Sequence, residues 1–474
     1  MNAQAVFTAM LPEHLLLLGL VLLLVLEILG RAQRWWLPVA LASVAAAALA
    51  ALGHALDGYA AAPFAGQFSV DPGTLFAKGM VLMLALPVIL MARDEFGGAA
   101  RAGGEDSSTG AVFASLLLSS LYGVCLVQSA DSFLTLFLGL EIMSLPIYVL
   151  VLLAYRRPQA AEAALKYLVL GGAASAMLLM GASLLYGASG SLAIGGFAAA
   201  LASADPLART AVVLVIAAFF LKAAIVPFHG WAPDAYEGAS VPVTAYMATI
   251  VKAGVVLAAV RVFGDATLVS PMFELVAVLP LVSIVWGNLA AMRQTSLRRL
   301  IAYSSIAHAG YLFYALLGDP PGRLQAVAFY LAAYGVLNLL AFAALPPAAD
   351  DAQRDRLDNL KGLFQRSPFA ALMIGIAMLS LAGIPPLPGF IAKFLIFKNV
   401  VAAGHTTYAV LGLVGSYLGI YFYLRVIQLM FMSPGEGPSK QAVPLQRLAW
   451  VAGVACLVAA LGLAVFPGWV MAGF

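Results

Sequence analysis

Apolar runs of membrane-spanning length recur about fourteen times along the chain, and no other feature constrains its fold so tightly. Their cores fall near residues 11–29, 35–56, 74–92, 110–128, 132–154, 163–187, 208–228, 241–262, 271–292, 299–317, 324–345, 368–401, 406–432 and 448–471. A bilayer offers the backbone no water, so only helices or closed barrels can span it, and runs of this length point to helices. Composition agrees. The chain is 63% hydrophobic and 10% charged, where a soluble globular chain carries about 25% charged residues. The expected class is an all-α polytopic membrane protein of about 14 transmembrane helices with no soluble domain. The longest polar connections, Arg93–Thr109 and Pro346–Ser367, read as surface loops.

Several function classes drop out. A net charge of +3 is too small to imply nucleic-acid binding, and the lipid bilayer is the expected surrounding. Cys125 and Cys456 both sit inside apolar runs, so neither a disulfide framework nor zinc or iron–sulfur ligation can be built from them. There is no GxGxxG opening a helix after a strand and no Walker loop. No metal and no cofactor (NADH, ATP, flavin or haem) is expected in this chain, so its energy must come from elsewhere. No basic residue precedes Leu15–Leu29, which therefore reads as a retained first span rather than a cleaved signal.

Basic residues suggest an orientation. Fifteen lie on the side following odd-numbered spans, among them Arg31, Arg93, Arg101, Arg156, Arg298, Arg354 and Lys440. The other side holds four: Arg209, Arg261, Arg323 and Lys398. By the positive-inside rule both termini are expected outside the cytoplasm. The six remaining basic residues, Lys78, Lys166, Lys222, Lys252, Lys393 and Arg425, lie inside spans or at their margins. Function is to be sought there.

Glu141 lies ten residues into its span, about 15 Å deep. Lys252 is eleven residues into its own, and Lys222 fourteen into another. A charge at mid-bilayer costs roughly 2.5–3.5 kcal/mol on insertion scales. A structural ion pair or a snorkelling lysine would explain one such residue. Three lysines with a single glutamate are unbalanced for helix glue, and they point to charge handling.

Two of these lysines sit beside helix breaks. In Phe220-Leu-Lys222-Ala-Ala-Ile-Val-Pro227-Phe-His229-Gly-Trp231, Pro227 removes a backbone donor and clashes with the preceding turn. In Ala382-Gly-Ile-Pro385-Pro386-Leu-Pro388-Gly389-Phe-Ile-Ala-Lys393, three prolines and two glycines interrupt the span. Irregular backbone at membrane depth is tolerated only where protein or a wet cavity satisfies it. Paired interrupted spans are the best sequence pointer to the site of an inverted-repeat transporter.

The ion that fits is the proton, because removing a lysine from water favours its neutral form and lets it load and release a proton. Sodium sites favour carboxylates and carbonyls, which cationic lysines oppose. His308 adds an imidazole about 14 Å into its span. Its neighbours Tyr303, Ser304, Ser305 and Tyr311 suit a hydrogen-bonded water chain. His14, His54 and His405 lie at span ends and carry no such expectation.

The motifs together resemble the antiporter-like membrane subunits of respiratory NADH–quinone oxidoreductase (complex I). They are most similar to subunit N, the counterpart of mitochondrial subunit 2. Leu11-Pro-Glu13 looks like the subunit N opening, and Gly139-Leu-Glu141-Ile-Met-Ser-Leu-Pro146-Ile-Tyr148 matches the fifth span. Glu162-Ala-Ala-Leu-Lys166-Tyr matches the start of the sixth, and Lys222 through Gly238 the seventh and its loop. Arg298 through His308 and Tyr311 matches the tenth, and Ser380 through Lys393-Phe the broken twelfth. Two departures, Ala-Ser-Val-Pro242 after Gly238 and a Gly/Ser-rich 98–110 loop, leave the charged axis untouched.

The resemblance implies two inverted five-helix repeats, each with a broken helix. The implied divisions are an N-terminal three-helix segment (1–93), a first repeat (110–262), a second repeat (271–432) and a C-terminal helix (445–474). It implies a proton-translocation axis of Glu141, Lys222, Lys252, His308 and Lys393, with Lys166, His229 and Tyr311 as accessory residues. Pro227, Pro385, Pro386 and Pro388 mark the breaks. The lysine at 393 favours subunit N over subunit M, which has glutamate there, and the short C-terminus disfavours subunit L. The implied setting is the bacterial inner membrane beside other complex I membrane subunits. NADH, FMN, iron–sulfur clusters and quinone belong to those partners. The alternatives are a subunit of a multisubunit cation/proton antiporter or membrane-bound hydrogenase, or a non-conducting scaffold. Glu13 and the outward-facing helices are where partner surfaces would be sought.

Overall fold

A computed structural model describes residues 3–96, 109–154, 157–266, 268, 272–346, 354–432 and 446–474. Residues 97–108 of the first expected polar loop and 347–353 of the second, and Arg101, Arg156 and Lys440 of the basic side, lie outside the described residues. After a short helix, Ala3–Ala9, come α1 (Leu11–Ile28), α2 (Ala32–Leu56), the hairpin β1 (Ala61–Phe64) and β2 (Phe68–Val70), and α3 (Pro72–Phe96). The next helices are α4 (Thr109–Gln128), α5 (Phe133–Leu152), α6 (Pro158–Ser189), α7 (Pro206–Ala223) and α8 (Val241–Phe263). They are followed by α9 (Met272–Ala291), α10 (Leu297–Tyr314), α11 (Pro320–Ala343), α12 (Pro368–Ala382), α13 (Pro388–Ala402), α14 (Thr406–Met432) and α15 (Arg447–Val465). Among the described residues, thirteen helices are long and apolar enough to cross a membrane. The expected twelfth span, 368–401, is the pair α12 and α13, each too short to cross alone.

Local chemistry sets the helix ends. Ser132 caps α5 by accepting from Thr135 N at 3.1 Å, and Asp205 followed by Pro206 opens α7. Gly190 ends α6 in the left-handed region, φ 70°. The seventh span is shorter than the expected 208–228: its helix stops at Ala223, and Ala224 turns left-handed at φ 62°. Pro227 therefore lies in the irregular stretch beyond the helix rather than inside it.

Burial sorts the helices into core and rim. The apolar stretches of α8 and α11 are wholly buried and that of α10 nearly so, whereas less than a third of α1 and α15 is buried. Exposed side chains on these rim helices are themselves apolar, such as Leu18, Leu24, Val458 and Leu461, as a lipid-facing surface requires. The two termini share one face. The Ala3–Ala9 helix packs on β1, and Phe474 meets Phe76 at the start of α3 with ring centroids 5.3 Å apart.

Candidate functional site: a buried charged axis

Irregular backbone stands beside the lysines. The break between α7 and the short helix Trp231–Gly238 follows Lys222 directly, and its Val226 N is satisfied by Ser283 Oγ at 2.8 Å. Trp231 Nε1 reaches back to the Leu221 carbonyl oxygen at 2.9 Å, tying the short helix to the end of α7. The second break spans Gly383 to Leu387. Gly383 has φ 88°, and a Cβ there would stand 3.3 Å from Lys393 Nζ, so both conformation and space call for glycine. Lys252 directly follows a third irregularity, a π-turn at Met247–Val251 inside α8.

Glu141 on α5 and Lys222 on α7 form an ion pair with Nζ 3.4 Å from Oε1, their side chains 22% and 6% exposed. The same Oε1 accepts the Ser175 hydroxyl from α6, and Lys222 Nζ lies 3.4 Å from Ser144 Oγ. A cavity of about 10 Å³, room for one water, adjoins Lys222, Ser144 and Val251. It places a water-sized space between Lys222 and the turn that precedes Lys252.

Lys252 is 6% exposed and donates to the Ser305 carbonyl oxygen at 2.6 Å. Ser305 Oγ is 3.3 Å from Tyr236 OH. One turn along α10, His308 is held at both ring nitrogens: Nδ1 is 2.7 Å from Tyr330 OH, and Nε2 is 3.1 Å from Tyr423 OH. Tyr423 OH is also 2.5 Å from Ser304 Oγ. Tyr311 follows, its ring centroid 5.1 Å from Lys393 Nζ. Lys393 donates to the Ala382 carbonyl oxygen at 3.1 Å and to Ser416 Oγ at 3.0 Å, with no carboxylate partner among the described residues. The arrangement is a line of groups able to pass protons, set in an apolar bundle.

The structure thus brings Glu141 to Lys222, and Lys252, His308, Tyr311 and Lys393 into one neighbourhood along α10. Other expected residues fall elsewhere. Lys166 pairs with Glu162 and Asp234, both at 2.6 Å, in a half-exposed cluster on the face opposite the termini. Arg299 closes that cluster at 3.0 Å from Asp234 and 2.8 Å from Glu237. Burial pushes the Asp234 carboxyl up, but hydrogen bonds from Lys166 and Arg299 outweigh it and hold the group below its usual range. His229 accepts from Trp286 Nε1 at 2.9 Å, away from the axis. Glu13 is not a partner surface: it is fully buried against Lys78, because a carboxylate facing lipid would be far costlier than one paired inside.

Sequence reasoning did not single out Ser175, Tyr236, Tyr330, Ser416 or Tyr423. Hydroxyls inside otherwise apolar spans were the available signal. Periodicity alone does not separate them from ordinary core aromatics.

Relatives place the chain. The sequence profile of the family described as "NADH:quinone oxidoreductase/Mrp antiporter, TM" matches residues 130–419. NADH-quinone oxidoreductase subunit N of Pelobacter propionicus is 40% identical over 471 residues, covering 98% of each chain. The chain belongs to the subunit N family of NADH–quinone oxidoreductases. A chain of respiratory complex I from Thermus thermophilus superimposes with a TM-score of 0.82 at 36% identity, covering 97% of this chain and 98% of that one. A chain of the Mrp complex from Dietzia sp. shares the fold at a TM-score of 0.78 and 24% identity. Like its family, the chain is a multi-pass membrane protein, and the charged axis lies almost wholly within the 130–419 match.

Proposed function

We propose that this chain is a proton-translocating membrane subunit of NADH–quinone oxidoreductase. Electron transfer in partner subunits, which hold the NADH, FMN, iron–sulfur and quinone chemistry, is coupled here to proton movement. The observation that carries the reading is the buried line from Glu141–Lys222 through Lys252, Ser305 and His308 to Lys393. Each lysine rests on hydroxyls or carbonyls that accept hydrogen bonds from the ammonium, within an otherwise apolar bundle. In the sequence of events we favour, Lys222 loads from the cytoplasmic side, charge passes through Lys252 and His308, and Lys393 releases outward. When Glu141 turns to Ser175 and away from Lys222, the lysine loses its counter-charge and gives up its proton.

The division into repeats 110–262 and 271–432 belongs to this proposal, as does the setting in a bacterial inner membrane with both termini outside the cytoplasm. In support of that orientation, both termini share one face, and the charged cluster of Lys166, Arg299, Asp234 and Glu237 lies on the other. The neighbours would be other complex I membrane subunits. The test is the proton-to-electron ratio of the assembled complex carrying Glu141→Ala or Lys222→Ala. A lowered ratio is expected; an unchanged one sinks the axis and favours a scaffold.

A further inference from the structure

One buried acid–lysine pair stands outside the axis. Glu13 on α1 and Lys78 on α3 are fully buried, with Nζ 2.5 Å from Oε1, and Lys78 Nζ lies 4.9 Å from the Phe68 ring centroid on β2. Glu13 Oε2 is buried and has no hydrogen-bond partner among the described residues. The same holds for both amide atoms of Gln128 and for the Ser129 hydroxyl at the end of α4. Polar atoms in this state are the mark of bound water.

Space for that water is at hand. A cavity of about 260 Å³ lies between the ends of α3, α8 and α11 on the terminal face, with Gln128 and Thr74 in its walls. Arg261, Arg323, Asp71 and Asp265 also line it, two positive and two negative, so the walls are balanced and suit water rather than a fixed ion. Thr74 is four residues before Lys78 on the same face of α3, one turn or roughly 5 Å away. Gln128 is three residues beyond Cys125, which with Tyr122 lies within electrostatic reach of Glu13. The cavity floor is thus about one helical turn from the pair.

We propose that Glu13 and Lys78, hydrated through Gln128 and this cavity, form a second proton-exchanging site open to the terminal face. The Lys78 ammonium passes its proton to Glu13 across their contact, leaving a neutral amine and a neutral acid. The acid then gives that proton to cavity water, and the neutral amine takes its next proton from the charged axis, so each cycle restores the pair and releases one proton to the terminal face. The inference rests on the proton-translocating reading above.

The test uses the assembled complex in membrane vesicles, with the proton-to-electron ratio measured for Glu13→Gln. In parallel, Ala77→Cys in a Cys125→Ser, Cys456→Ser background is treated with a membrane-impermeant cationic methanethiosulfonate. Ala77 lines the cavity, so labelling from the terminal face is expected, together with a ratio lowered by a fifth or more. An unchanged ratio, or no labelling from that face, overturns the proposal. If Glu13→Gln does not assemble, the apolar double variant Glu13→Leu, Lys78→Met keeps the packing. A purely structural pair predicts a full ratio there, and proton exchange predicts the same loss. A lowered ratio in Glu141→Ala beside an unchanged one in Glu13→Gln would overturn this inference alone. An unchanged ratio in Glu141→Ala would overturn the reading beneath it.

Discussion

The two helix breaks solve the same problem in opposite chain order. In the first, Lys222 precedes the interruption by five residues from Pro227; in the second, Lys393 follows it by five from Pro388. Each break also contains a cis peptide, at Val226–Pro227 and Pro385–Pro386. Their electrostatics differ. Lys222 has an acid, Glu141, that is partly exposed and shared with Ser175, whereas among the described residues Lys393 has only a carbonyl, a hydroxyl and the face of Tyr311. The first lysine can be switched by moving its counter-charge. The second has no such partner and must respond to charge arriving along α10. On the proposed reading, the first lysine is controlled and the second follows.

The clasp between these halves gives the largest expected effect. Asp355 accepts from Arg298 at 2.8 Å, both side chains being at most 2% exposed, and Arg298 Nη1 also donates to the Ala239 carbonyl oxygen beside the first break at 2.7 Å. Asp355→Asn removes the carboxylate that the buried guanidinium pairs with, and a loss of about 3–5 kcal/mol is expected, read as a lowered unfolding temperature of the complex. Burial pushes the Asp355 carboxyl up, but the charge of Arg298 and hydrogen bonds from Arg298 and Ser296 hold it below its usual range. A depressed carboxylate pKa contributes stability that is full above the unfolded value. That stability is lost as pH falls from about 4 toward the lower folded value. The variant should therefore show a flatter acid limb than the parent.

Removing the acid of the controlled half comes next. Glu141→Gln strands Lys222, while Lys393→Met removes a charge that had no carboxylate to leave behind. The first substitution should destabilise the complex more than the second, although both should lower the proton-to-electron ratio. Equal stability losses would break the comparison, because they would mean that the ion pair contributes nothing. Gly383→Ala follows. The left-handed residue costs about 1–2 kcal/mol in strain, and its methyl presses on Lys393, so stability and pumping should fall together. Smallest is Ala224→Gly at the first break, where relief of φ 62° should stabilise by about 1 kcal/mol without changing the ratio.

Much of this was open to a reader of the sequence. The spans were legible because apolar length is a direct demand of the bilayer, and each expected core meets a helix or, at 368–401, a broken pair. The in-span charges stood out for the same reason: in a chain with 10% charged residues, Glu141, Lys222, Lys252 and Lys393 are costly exceptions. Pairing was another matter. Glu13 and Lys78 were visible one by one, yet their contact closes a gap of 65 residues that no local pattern encodes. The place of Glu13 in the interior rather than on a partner surface was decided only when α1, packed against α2 and α4, carried it to Lys78. The hydroxyls of Tyr330 and Tyr423 likewise became proton-handling candidates only when α11 and α14 carried them to His308.

By itself the sequence determined the apolar spans, the two breaks and the charges set within spans, since hydrophobic length, proline and insertion cost act along the chain. Only the tertiary structure decided which acid faces which lysine, which hydroxyls bridge them and where water has room. Those depend on contacts between helices far apart in sequence, and a polar group in a dry bundle takes its chemistry from the neighbours that packing supplies.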